Sequence, residues 1–476
     1  MTVELHNIVG GQRRGTHEGL VLPLVEPATG TEVGRSPLTR WTDVDEVMAA
    51  AAAAFEPWSR STPRQRQRAL LRLAADIEDR AEQFVDAECR NTGKPRPVVA
   101  GDELPAAVDV LRFYASAARL QEGTAAGEYH PEHTSFARRE PIGVCAQVTS
   151  WTHPLLLAVA KIAPAVAAGN TVVLKPAETT PVSAALLVEL AGEHLPAGVV
   201  NLICGDRDSG RAMAAHEVPG MFSITGTVRS GMEVAGSVAA DLKRPHLQLG
   251  GKAPAVVFAD ADLGRAARCL ALAAFGNAGQ SCTAASRVLV QREVHDEFLA
   301  AFAEQAGQLR PGGPDDEAAD FGPLNSHGQR ELVQEHLGRL PEHARIVLGG
   351  HSLPGPGFFH EATVVAEVSQ EDELVQQELL GPIAGVQAFT DEDEAVAMAN
   401  GVRFGLVAST WTREHARAMR MSQRLRAGTV WINAHHPLTA EMPHSGFKHS
   451  ASARDLGHYG LEEYSRLKHV MSHVGP

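Results

Sequence analysis

From residue 143 onward, short apolar runs alternate with longer stretches of helical spacing. Residues 143–148, 171–175, 199–203 and 221–225 read as strands, and 154–168, 181–194, a short stretch between 203 and 221, and 229–240 read as the helices between them. A second block opens at 246. Residues 253–258 are expected as a strand, 262–275 as a helix and 287–291 as a strand, with further alternation to 430–433. Such repeats predict an α/β fold of two doubly wound units, each a parallel sheet with helices on both faces. Sheets of this kind bind ligands at the carboxyl ends of their strands. Trp151, Lys175 to Glu178, Gly205 and 225–227 fall there.

The N-terminal third has a different rhythm. Residues 21–35 suggest two strands around a turn at 28–30, after which Thr42 and Asp43 cap an alanine-rich helix running to Phe55. Thr62-Pro63 places proline at a first helical position. One helix carrying Leu70, Leu73, Ile77, Ala81 and Phe84 on a single face is expected to stop near Gly93, and another covers 103–120. Residues 121–139 turn polar and breaker-rich, as a projecting arm would, and the tail at 464–470 looks like a strand. Residues 311–320 read as a surface loop.

Composition narrows the class. A chain of 476 residues with 44% hydrophobic and 21% charged residues has ordinary globular content and enough apolar mass for about three domains. Its net charge of −14 is spread without a block of one sign, which argues against nucleic acid as a partner. Five cysteines, Cys89, Cys145, Cys204, Cys269 and Cys282, form no C-x-x-C pair. That argues against a disulfide framework or a zinc site and for a reducing compartment. No targeting or membrane segment is visible, so a cytoplasmic location is expected, with no membrane partner.

Chemistry concentrates at Phe275-Gly-Asn-Ala-Gly-Gln-Ser-Cys282-Thr-Ala-Ala-Ser-Arg287. Gly276 and Gly279 should let the backbone turn tightly, and Thr283, Ala284 and Ala285 leave space beside the sulfur. A lone cysteine is most often a small buried apolar residue, but this setting presents a thiol to a substrate. No G-x-G-x-x-G follows 143–148; a phosphate could instead meet the helix opening near Thr227. Lys175 and Glu178 suit the hydroxyls of a ribose. A carboxylate there also repels a 2′-phosphate, favouring NAD over NADP, although Glu178 alone could be a helix-capping residue.

These motifs together resemble the NAD(P)-dependent aldehyde dehydrogenases along essentially the whole chain. The resemblance rests on Trp151 before His-Pro, Lys175-Pro-Ala-Glu178, 225–227, Leu249-Gly-Gly-Lys252, the Cys282 loop, Glu378-Leu-Leu-Gly-Pro382 and 443–448. Within the family, 102–114, 441–446 and 457–464 are most similar to the 4-aminobutyraldehyde and related amino-aldehyde group. The resemblance implies a dinucleotide-binding domain from 1–120 and 140–245, a catalytic domain at 246–435, and an oligomerisation arm from 121–139 and 455–476. A homodimer or homotetramer is therefore expected. It also implies that Cys282 attacks an aldehyde to give a thiohemiacetal and then a thioester, which a carboxylate base hydrolyses. NAD would lie against Val148, Trp151, Lys175, Glu178, Gly205, Gly210, Thr227, Leu249 and Glu378.

Two positions depart from the family pattern at the reaction centre. The oxyanion-binding Asn is replaced by Thr152, and the general-base Glu before Leu-Gly-Gly-Lys is replaced by Gln248. A glutamine matches a glutamate in shape but accepts no proton at neutral pH. Losing an oxyanion donor costs about 2.7–4 kcal/mol, and losing a base roughly 10²–10⁴-fold. Impaired hydrolysis is expected; Asp455 and His153 are the available substitutes for the base. Three readings stay open: oxidation of a small (amino-)aldehyde with slow deacylation, transfer of the acyl group to another nucleophile, and a nucleotide-binding scaffold.

Overall fold

A computed structural model describes residues 3–475. Two seven-stranded sheets dominate it. In the first, the order is Arg244–Gln248, Pro219–Thr225, Val144–Val148, Thr171–Lys175, Val200–Leu202, Asn7–Val9 and Gln12–Arg14, the first five parallel. Alternate residues of one strand serve opposite helix layers, as the two-residue period of a strand requires. Val144, Ala146, Phe222 and Ile224 pack with helices Trp41–Ser59, Arg207–Ala215 and Val228–Ala239. Cys145, Val172, Leu174 and Met221 pack with Pro154–Ala168 and Val182–Ala191.

The second sheet runs Arg345–Leu348, Thr363–Ala366, Ile383–Phe389, Arg287–Gln291, Pro254–Val257, Val407–Trp411 and Thr429–Ile432, parallel except at its first edge. Arg244–Gln248 belongs to the first sheet, so the chain crosses between the sheets at 249–252 rather than at 246.

Two helix expectations are corrected. The alanine-rich helix is Trp41–Ser59 with Arg40 as its N-cap, and Asp43 acts inside the first turn, its carboxylate accepting the Arg40 N–H at 3.0 Å. The helix expected to reach Gly93 is two, Pro63–Asp79 and Ala81–Thr92, parted at Arg80. Its apolar stripe is unbroken across the joint, with Leu70, Leu73, Ile77 and Phe84 all buried, which is why periodicity alone reads through it. Thr62 caps the first of the two and Gly93, at φ +76°, ends the second.

The expected arm is an antiparallel hairpin, Gly127–His130 with His133–Pro141, and the tail strand Ser465–His473 pairs along the whole of the latter. Leu467 and Met471 are exposed on this sheet. No helix among the described residues is long and apolar enough to cross a membrane.

Candidate active site

Cys282 sits between the two sheets. Helix Leu263–Phe275 delivers the chain to a loop in which Asn277, Ala278 and Gly279 are all left-handed, at φ 52°, 54° and 67°. A Cβ at Gly279 would lie 2.2 Å from the Gly381 carbonyl, so glycine is required there. Gly276, by contrast, has φ −51° and open space around it. The turn expected from Gly276 is made instead by Asn277 and Ala278. Asn277 is fixed by its own amide, which donates to Thr152 O at 2.9 Å and Gln280 O at 3.0 Å. On the far side His435 Nε2 hydrogen-bonds Thr283 O at 2.9 Å. Gly251 leaves room for the cysteine backbone, since a Cβ there would stand 2.2 Å from Cys282 O.

Burial away from bulk water pushes the Cys282 thiol up to about 12, and the charge of Glu378 adds to it, against the N–H groups of Cys282 and Thr283. At neutral pH Cys282 therefore rests as a thiol.

Thr152 meets this loop through its carbonyl, whereas Gln248 stands three residues before Gly251, which packs on Cys282 O. Thr152 is buried and its hydroxyl takes a long bond from Ser150 Oγ at 3.4 Å. Its carbonyl is clamped by Lys94 Nζ at 2.9 Å, and Lys94 in turn pairs with Glu103 at 2.7 Å. Gln248 ends the edge strand of the first sheet, 3% exposed, and neither its Oε1 nor its Nε2 has a hydrogen-bond partner. An unpaired buried amide is costly, and Gln248 carries that cost at both polar atoms. Neither substitute base is simple. Burial holds His153 neutral, its pKa well below the usual range, with the charges of Lys94 and His436 acting in the same direction. Asp455 faces His246 at 3.4 Å, whose other ring nitrogen meets Ser223 Oγ at 2.9 Å; Lys161 Nζ donates to the same hydroxyl at 2.8 Å.

From Cys282 a cavity of about 630 Å³ extends along the carboxyl ends of the first sheet. The expected residues Val148, Trp151, Thr152, Lys175, Glu178, Gly210, Thr227, Leu249, Cys282 and Glu378 all line it; Gln248 and Gly205 do not. Gly205 supports the wall from behind, its carbonyl accepting Lys175 Nζ at 2.9 Å. Thr227 caps helix Val228–Ala239, accepting the Ser230 N–H at 3.2 Å, so that helix opens onto the cavity. Glu378 Oε1 accepts the Gly251 N–H at 2.8 Å, and burial pushes its pKa up to about 7. Burial lowers that of Lys175.

Sequence reading missed Arg207, Arg211 and Glu233, which also line the cavity. The four-residue spacing of the two arginines was the available signal. Among the described residues, one group has metal-ligand proximity, Asp76, Glu193 and His194. It is an ion-pair cluster, with His194 on Asp76 at 2.7 Å and Glu193 on Arg80 at 3.0 Å.

A cysteine lining a long cavity between two α/β sheets fits the class that the sequence resembles, and residues 15–470 match the Aldehyde dehydrogenase family. The chain belongs to that family. It is 36% identical over 460 residues to betaine aldehyde dehydrogenase of Bacillus subtilis (strain 168), covering 95% of this chain and 92% of that one. Among solved structures, betaine aldehyde dehydrogenase from Staphylococcus aureus in complex with NAD+ superposes with TM-score 0.96 at 30% identity, covering 99% of this chain and 95% of that one. PnpE from Pseudomonas sp. WBC-3 gives 0.97 at 33% identity, covering 100% and 98%.

Proposed function

We propose that this chain oxidises a small aldehyde of the amino-aldehyde class with NAD, through a covalent adduct on Cys282 that is released slowly. The observation that carries this reading is a cysteine opening onto the cavity while residue 248 is an amide with both polar atoms unpartnered. Relatives named for betaine aldehyde, an ammonium-bearing aldehyde, support the substrate class.

The cavity residues fit a dinucleotide. The Thr225 hydroxyl on the wall is buried without a partner. Gly250 leaves the place that a Cβ would occupy, 1.9 Å from Glu378 Oε2, to that carboxylate. Lys175 and Glu178 would hold one ribose and Glu378 the other, while Trp151 and Thr227 would line the groove between. When bound, NAD supplies the hydride acceptor.

The chain's own part follows from its chemistry. Cys282 Sγ forms a bond to the aldehyde carbon as the thiol proton passes to water, and its backbone N–H donates to the oxyanion. Loss of hydride from that carbon leaves a thioester. Hydrolysis then needs a group to take a proton from water, which Gln248 cannot do. A second reading has the same unpartnered amide favour transfer of the acyl group to an amine or thiol nucleophile. The arm strands, with Leu467 and Met471 exposed, would join copies of the chain as a dimer or tetramer. Five free cysteines support a cytoplasmic site.

Mixing the protein, NAD and 4-aminobutyraldehyde or betaine aldehyde in a stopped-flow cell should give an NADH burst near one per Cys282, then slow turnover. Intact-mass analysis should find the acyl adduct, and added amines or thiols should discharge it if the second reading holds. Fast linear turnover with no burst rejects slow release; no adduct with any aldehyde leaves a scaffold.

A further inference from the structure

The end of the cavity at Lys175 and Glu178 carries a charge cluster that aldehyde oxidation does not call for. Arg207 and Arg211 stand one turn apart on helix Arg207–Ala215, facing Glu233 on helix Val228–Ala239. Arg207 Nη2 donates to Glu233 Oε2, and Arg211 Nε donates to Glu233 Oε1 at 2.5 Å. Arg211 Nη1 also donates to Asp208 Oδ1 at 2.7 Å. One carboxylate thus occupies two guanidinium groups, one on each oxygen. Both arginines are half-exposed, at 43% and 51%, so packing does not fix them. Lys175 is already committed, its ammonium donating to Pro176 O at 3.0 Å and Gly205 O at 2.9 Å. With Arg207 and Arg211 turned to Glu233, the charged group left facing an incoming phosphate is the Glu178 carboxylate.

We propose that Glu233 is a cofactor-discriminating residue. By clasping Arg207 and Arg211 it keeps the groove selective for a dinucleotide with a free 2′-hydroxyl, and without it the same two arginines take a 2′-phosphate. This rests on the reading that the cavity holds a dinucleotide with its adenosine ribose near Lys175 and Glu178. Two guanidinium forks four residues apart on one helix present the planar, multidentate donor set that a phosphate dianion needs. Their pairing with Glu233 is solvent-exposed, so releasing them should cost the fold little.

The test uses the full chain and two probes, 5′-AMP and adenosine 2′,5′-bisphosphate, titrated by calorimetry without substrate. The native protein should bind 5′-AMP and prefer it. Glu233→Gln should raise affinity for the bisphosphate by about tenfold or more, the scale of a released charge-assisted bond, while 5′-AMP shifts far less. That gain should weaken steeply with salt and vanish in Glu233→Gln combined with Arg207→Gln and Arg211→Gln. An unchanged bisphosphate-to-AMP ratio in Glu233→Gln, with 5′-AMP still bound, overturns the clasp. If 5′-AMP binds neither form, the dinucleotide reading falls and the clasp with it.

Discussion

Replacing Gln248 by Glu isolates the missing base, and the structure sets both its gain and its cost. The position is 3% exposed, and no donor or cation reaches its side-chain polar atoms. Two other buried carboxyls show what such surroundings do. Burial pushes Glu88 and Glu378 each up to about 7. A carboxyl at 248 raised as far above an ordinary glutamate would lose about 3 kcal/mol of folding stability once ionised, at about 1.4 kcal/mol per unit. The sign is fixed by the direction. Below the unfolded glutamate range both states hold the proton and nothing is lost. Between there and about pH 7 the loss grows, and above it the loss is complete. Catalysis moves oppositely, because only the ionised form takes a proton from water. Steady-state turnover of Gln248→Glu should therefore rise with pH through about 7 and exceed the native rate by roughly 10²-fold or more at pH 8.5. Stopped-flow NADH release from pH 5.5 to 9, with thermal melts at the same pH values, reads both effects. Native-like turnover at pH 8.5 with the burst intact would refute the argument that hydrolysis is limiting for want of a base at 248.

Two further outcomes are expected. With its thiol pushed up to about 12, Cys282 in the cofactor-free protein should be alkylated by iodoacetamide at a rate climbing about tenfold per pH unit from 7 to 9; a plateau near neutral pH, followed by mass spectrometry of the Cys282 peptide, would contradict this. Gly250→Ala puts a Cβ 1.9 Å from Glu378 Oε2 and should drive that carboxylate off the Gly251 N–H, weakening NAD binding by about tenfold to a hundredfold with little change in melting temperature. Unaltered NAD affinity in a fluorescence titration would show that Glu378 does not hold the cofactor.

The parallel sheets were legible because each buried strand is a short apolar run between helical stretches, and the cysteine loop because its small residues cluster in sequence. Ten of the twelve expected site residues line one cavity, since the strand ends that carry them converge at the same edge. What stayed hidden depends on distance along the chain. Lys94 clamps Thr152 from 58 residues away, and nothing local marks it. Arg207 and Glu233 look like ordinary surface charges until two helices bring them together. The joint at Arg80 escaped because both helices share one apolar stripe, and residue 248 joined the wrong block because an edge strand reads like the start of the next unit.

The pairing of Ser465–His473 with His133–Pro141 also governs how the protein can be made. Arg139 and Ser465, bonded at 3.2 Å, are separated by 326 positions. Leu461 and Tyr464, the latter fully buried, complete a core whose other members nearly all come from the first half of the chain. Asn170 donates to Tyr464 O at 2.8 Å, and Arg244 to Glu463 O at 2.6 Å. On the ribosome, then, the first sheet emerges early but its underside stays unsealed until Leu461 to Ser465 leave the tunnel. Loop closure over that span makes the final docking slow and leaves apolar surface open meanwhile. A stop codon at or before Leu461 would thus damage the half of the protein synthesised first.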